Sequence, residues 1–208
     1  MTEYFLPAGY GTGEYTEKKS RFIGEIWKIS TEEEARTKVL EVKKHYHDAR
    51  HNCWCWILRD GSMRYSDDGE PQGTAGQPML EVFRRQGICD VVCVVTRYFG
   101  GVLLGTGGLV RAYTAASKAA LEDAGICVER LWNRILVPSP YALFERIRQE
   151  TLRRGAVEET DYGADVLLTV LIPEESAEDY LAWLTEISAG QIEAEPLEQV
   201  FCSMPLPQ

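Results

Sequence analysis

The chain has 208 residues and a formal net charge of -10, with 45% hydrophobic, 26% charged and 10% aromatic residues. That composition excludes disordered, collagen-like and disulfide-scaffold classes, and its negative balance disfavours a general polyanion binder, whose affinity comes from Lys and Arg neutralising phosphates. Counted by segment, residues 138–208 hold 14 acids against four arginines, whereas residues 1–137 hold 18 of each sign, so the objection falls on the C-terminal part alone.

In chain order, Met1-Thr2-Glu3-Tyr4-Phe5-Leu6-Pro7 has neither the basic start nor the apolar run of a signal peptide. The apolar windows Val91–Val95 and Val166–Ile172 are strand-length, far short of the ~20 residues of a spanning helix. The chain therefore reads as cytoplasmic, with no membrane contact and its six cysteines reduced.

After a glycine-rich start, Arg21–Ile29 reads as a strand. Ser30 or Thr31 caps a helix running to about His47, with Glu33 or Glu34 in capping-box register and Ala35, Val39, Val42 and Tyr46 on one face. His51–Leu58 is a strand, and Asp60-Gly61 turns it into Ser62–Tyr65. Ser66–Gly76 is a loop, Gln77–Gln86 a helix and Cys89–Thr96 a buried strand. A glycine-rich loop then spans Gly100–Gly108 and leads into a helix to about Ala124. Ile126–Val137 is a strand, after which Ser139 caps a helix with Pro140 at its first position. Strands at Ala156–Thr160 and Ala164–Ile172, a helix at Glu174–Ser188 and a strand through Phe201 complete the chain. Strand, helix, strand, strand, helix, strand is the ferredoxin-like split βαβ order. The expected division is residues 1–137 and 138–208, with the boundary as early as 125 if Ile126–Val137 belongs to the second domain.

The run from Val94 to Tyr113, with Lys19-Ser20-Arg21-Phe22, His47 through Cys53 and Ser66 through Gly76, resembles the Impact family in its bacterial branch. The resemblance implies an α+β fold in two parts. The N-terminal β-α domain would be similar to the second domain of a small-subunit ribosomal protein, and the acidic C-terminal domain would be ferredoxin-like. It also implies a link to translation, since eukaryotic relatives of the first domain control it by binding a ribosome-associated protein; it assigns no reaction.

Gly100, Gly101, Gly105, Gly107 and Gly108 let the backbone turn tightly and approach a ligand at a helix start. Arg97 and Arg111 flank them and suit a phosphate or carboxylate, while a purely structural turn remains the competing reading. The spacing is neither a P-loop nor a dinucleotide fingerprint. Arg21 and Arg50, with Lys18 and Lys19, extend a candidate nucleic-acid footprint if they gather on one face, where Tyr98 and Phe99 are placed to stack on bases or to anchor in the core. Asp67, Asp68 and Glu70 form a candidate Mg²⁺ site, read first as a solvated turn. His51, Cys53 and Cys55 alternate on one strand face opposite Trp54 and Trp56 and read as core rather than zinc ligands; His45 and His47 read as helix-end residues. The expected function is a non-enzymatic, translation-associated protein binding RNA, the ribosome or a ribosome-bound factor. An enzyme acting on a small phosphorylated ligand and a protein-interaction module are the alternatives.

Overall fold

The computed structural model describes residues 3–205, which form two compact units built on Tyr4–Val128 and Glu129–Ser203. The first unit is an antiparallel sheet in the order β2 (Gly11–Glu17), β3 (Ser20–Lys28), β6 (Val91–Tyr98), β4 (His51–Ile57), β5 (Met63–Ser66). Strand alternation makes it three layers. Val92 and Val94 of β6 and Trp56 of β4 meet Ala35, Val39 and Val42 of α1 (Glu32–His45). Cys93 and Val95, with Cys53 and Cys55, face α2 (Gly76–Arg85) and α3 (Gly105–Ala124) on the other side. The expected separation of cysteines from tryptophans along β4 is thus present.

The capping signal of α1 is met by Thr31 as the N-cap, with Glu34 reaching back one residue beyond it. Thr31 Oγ1 accepts from Glu34 N at 3.2 Å, and Glu34 returns a carboxylate oxygen to Ser30 N at 2.6 Å. Three glutamates in the first turn and Lys43, Lys44 and His45 in the last complement the helix dipole.

The glycine-rich start, to which the sequence pattern assigns no element, holds β1 (Glu3–Pro7) and β2. Gly24 of β3 shows why small residues stand there: a Cβ on it would lie 2.6 Å from the Ala116 carbonyl oxygen of α3. Glycine on the strands and alanine on the helix let the two backbones nearly touch.

In the second unit, β7 (Ile126–Ser139), α4 (Tyr141–Arg154), β8 (Ala156–Tyr162), β9 (Val166–Pro173), α5 (Glu174–Ile187) and β10 (Glu195–Pro205) follow the expected order. The sheet runs β10-β7-β9-β8, which is the split βαβ arrangement. Ile135, Val137, Leu168, Val170 and Ile172 pack under Ile147, Tyr180 and Leu184 from the two helices. One local expectation is corrected: Ser139 ends β7, fully buried, and Pro140 is the residue that precedes the first turn of α4. Its extended backbone (ψ 142°) turns the chain from strand into helix without a side-chain cap. Among the described residues no helix is long and apolar enough to cross a membrane.

Candidate functional site

Strand register brings the unusual sequence motifs to one end of the first sheet. Arg21 of β3 lies opposite Tyr98 of β6, and His51 of β4 lies opposite Arg97. The turn joining β2 to β3 and the loop joining β6 to α3 therefore emerge together. In that turn Lys18 and Lys19 both adopt positive φ, 45° and 66°, the twist that suits a two-residue hairpin. Gly100 lies against the turn: its N–H donates to Ser20 Oγ at 3.1 Å, and a Cβ on it would fall 2.0 Å from the Lys19 carbonyl carbon. Gly101 and Gly105 hold φ of 85° and 70°, a region other residues enter at a cost.

The expected loop Gly100–Gly108 is shorter than read, because α3 begins at Gly105. Gly105, Gly107 and Gly108 occupy its first turn, which has no side-chain cap and no acidic residue. Gly108 is packed, with room for a Cβ only 3.0 Å from that of Leu104.

The basic residues divide into two kinds. Lys18, Lys19, Arg50 and Arg111 are exposed, and no ion pair involves them among the described residues. The Arg111 guanidinium lies alongside Gly107. Arg21 is exposed but paired with Glu14 at 2.8 Å. Arg97 is the exception: its side chain is 7% exposed and its Nη1 meets Glu70 Oε1 at 2.6 Å. Apolar side chains of the connecting loop project beside these cations, with Phe99 46%, Val102 45% and Leu103 84% exposed. The Phe99 ring also lies 5.6 Å from the Arg97 guanidinium carbon, within cation–π range. Tyr98 is drawn the other way, its hydroxyl donating to Asp48 at 2.7 Å.

Beneath this tip runs a buried polar network. Glu70 Oε1 accepts from Arg97 and from the Tyr113 hydroxyl of α3 at 2.9 Å, and Cys53 Sγ lies 3.3 Å from that hydroxyl. Three segments of the first unit thus meet at one carboxylate, and β4 joins them through the Tyr113 hydroxyl. The other two acids of the loop are engaged as well. Asp67 accepts from the backbone N–H of Gly73, Ala75 and Gly76, serving as a remote cap for α2. Asp68 holds Lys43 Nζ at 2.5 Å and Asn52 N at 2.7 Å. The three carboxylates read as a Mg²⁺ site point to three different sets of protein partners, and the described residues contain no cluster of three or more His, Cys, Asp or Glu disposed to hold a metal.

His51 Nδ1 lies 2.9 Å from the Asp68 carbonyl oxygen, and Cys53 and Cys55 are fully buried. His45 and His47 are exposed at the end of α1 and just beyond it. Burial pushes the thiols of Cys53 and Cys55 up, and that of Cys93 up to about 12. A thiol kept protonated when folded but ionising near pH 9 when unfolded makes the native state bind more protons above that pH, so stability falls as pH rises. Urea midpoints under reducing conditions should decline from pH 8 to pH 10. In native protein DTNB should reach half-buried Cys89 and Cys202 before the four buried cysteines, which are expected to react on unfolding.

Two cavities of the first unit, of about 1170 and 390 Å³, lie between α2 and α3 and beside α1. Neither is lined by the 99–104 loop.

Comparison with known proteins gives consistent results. The Impact N-terminal domain matches residues 18–121, and a domain of unknown function matches residues 139–191. The IMPACT family member YvyE of Bacillus subtilis is 35% identical over 195 residues, covering 92% of this chain and 89% of its own. The IMPACT family member YigZ of Escherichia coli is 35% identical over 205 residues, covering 96% and 100%. A crystal structure described as that of a hypothetical protein, 33% identical, aligns with a TM-score of 0.60 over 95% of this chain and 98% of its own.

Proposed function

The chain belongs to the Impact family, and from that membership we propose that it is a cytoplasmic translation-associated regulatory protein. Its first unit contacts RNA, the ribosome or a ribosome-bound factor. The observation that carries the reading is the tip of the first sheet. There four cations without ion pairs among the described residues, Lys18, Lys19, Arg50 and Arg111, share one end with exposed Phe99, Val102 and Leu103. Cations of this kind neutralise phosphates, and an exposed aromatic ring offers a face on which a base stacks. The whole-chain charge of -10 hides this local excess, because it resides in the C-terminal segment. An enzyme acting on a small phosphorylated ligand has less support, since Asp67, Asp68 and Glu70 are all held by protein groups and the two cavities lie elsewhere.

Cosedimentation with ribosomes from cell extract at several salt concentrations tests the reading. Binding should weaken as salt rises. Lys18→Glu with Lys19→Glu should reduce both affinity and the salt slope, the latter by about one for each phosphate that is no longer neutralised. A protein that stays in the supernatant at every salt concentration, or a double variant indistinguishable from the parent, would refute it.

A further inference from the structure

The sheet of the second unit is covered by helices on one face only. Opposite α4 and α5, register aligns Arg134, Leu136 and Pro138 of β7 with Leu171, Thr169 and Leu167 of β9, and those with Ala156, Glu159 and Asp161 of β8. Leu167 is 40% exposed, and Leu136 and Leu171 are half-buried, giving a short apolar strip that no helix of this unit covers.

The charge around that strip has one sign. Arg134 is already held by two carboxylates, Glu158 at 2.6 Å and Glu198 of β10. Glu159 and Asp161 are exposed and take part in no ion pair among the described residues. Four acids against one arginine leave the face clearly negative, within a segment that is itself -10.

We infer that this open face docks a basic amphipathic polypeptide segment, its aliphatic side chains on Leu136, Leu167 and Leu171 and its Lys or Arg on Glu159, Asp161, Glu158 and Glu198. Sheets of this topology bind single-stranded RNA when aromatic and basic side chains line the open face, but here the central strands offer leucines and the rim offers carboxylates, which repel phosphate. A second copy of the same face is disfavoured for the same reason, since it would set carboxylates against carboxylates. The inference rests on the second unit alone and stands or falls apart from the reading of the first.

The test uses the full chain and two fluorescent peptides of equal charge, one alternating Leu with Lys and one with Ser in place of Leu, at physiological salt. The Leu peptide should bind at least about tenfold tighter. Leu167→Ser with Leu171→Ser, and separately Glu159→Lys with Asp161→Lys, should each weaken it about tenfold. Glu178→Lys with Asp179→Lys, exposed on α5 behind the sheet, makes the same change in net charge and should leave the affinity within about twofold. Equal binding of the two peptides, equal loss from both charge-reversed pairs, or no binding of the Leu peptide would each overturn the inference. So would displacement of that peptide from Leu167 and Leu171 by a uridine-rich RNA oligonucleotide.

Discussion

Glu70→Ala is expected to destabilise the first unit by about 3–5 kcal/mol, the largest single effect we foresee. The Arg97 and Glu70 side chains are 7% and 3% exposed, with 2.6 Å between Nη1 and Oε1. Removing the carboxylate leaves a buried guanidinium without its counterion. Among the described residues Arg97 Nε already lacks a hydrogen-bond partner, and Tyr113 loses the acceptor of its hydroxyl. A buried pair is nevertheless weak evidence of net stabilisation, because each ion is stripped of solvent to form it. Arg97→Met combined with Glu70→Leu should therefore recover most of the loss. Urea denaturation of Glu70→Leu, Arg97→Met and the double variant beside the parent closes the cycle. A Glu70→Ala midpoint equal to the parent's would show that the pair is not buried in solution.

Much of this fold is written in alternation and punctuation. The register of β4 follows from Cys53-Trp54-Cys55-Trp56, since the small thiols suit the face that meets α2 and the indoles the face that meets α1. The split βαβ order of the second unit follows from evenly spaced apolar runs separated by turns. What escaped was β2, because Gly11 and Gly13 look like loop residues. Their strand role depends on the distant alanines of α3: a Cβ on Gly13 would fall 2.5 Å from Ala120 N. No local pattern announces a neighbour more than a hundred residues away.

The candidate site was legible as a set of residues, and less so as a division of labour. Arg97 and Arg111 look equivalent on either side of the glycines, yet position 97 continues the buried face of β6 while 111 falls on the outer side of α3. The period-2 pattern of Cys93 and Val95 extends to Arg97 and signals its burial; the identity of its partner in another loop is not encoded locally. Asp67 is similar. Its side chain caps a helix that starts nine residues later at Gly76, beyond the three-residue reach of a capping box. The acid cluster, read first as a turn and second as a candidate Mg²⁺ site, is tied in the structure to backbone N–H groups, Lys43 and Arg97.

Gly100→Ala should weaken both the fold and the tip without altering any charge. The added methyl would sit 2.0 Å from the Lys19 carbonyl carbon and 2.3 Å from Ser20 N. Both obstacles are backbone, so no side chain can swing away, and either the 99–104 loop or the Lys18–Lys19 turn must move. A cost at the upper end of the roughly 1–3 kcal/mol range for overpacking is expected. Because the displaced elements carry Phe99, Leu103 and both lysines, ribosome cosedimentation should also fall at low salt. Gly101→Ala separates geometry from backbone conformation: its φ is 85° with nothing within 4 Å of a new Cβ, so it should cost only about 1–2 kcal/mol and leave binding close to that of the parent. Equal stability of Gly100→Ala and the parent would show that the turn and the loop do not touch. Lower stability with unchanged cosedimentation would show that their alignment is not what the ribosome, RNA or bound factor reads.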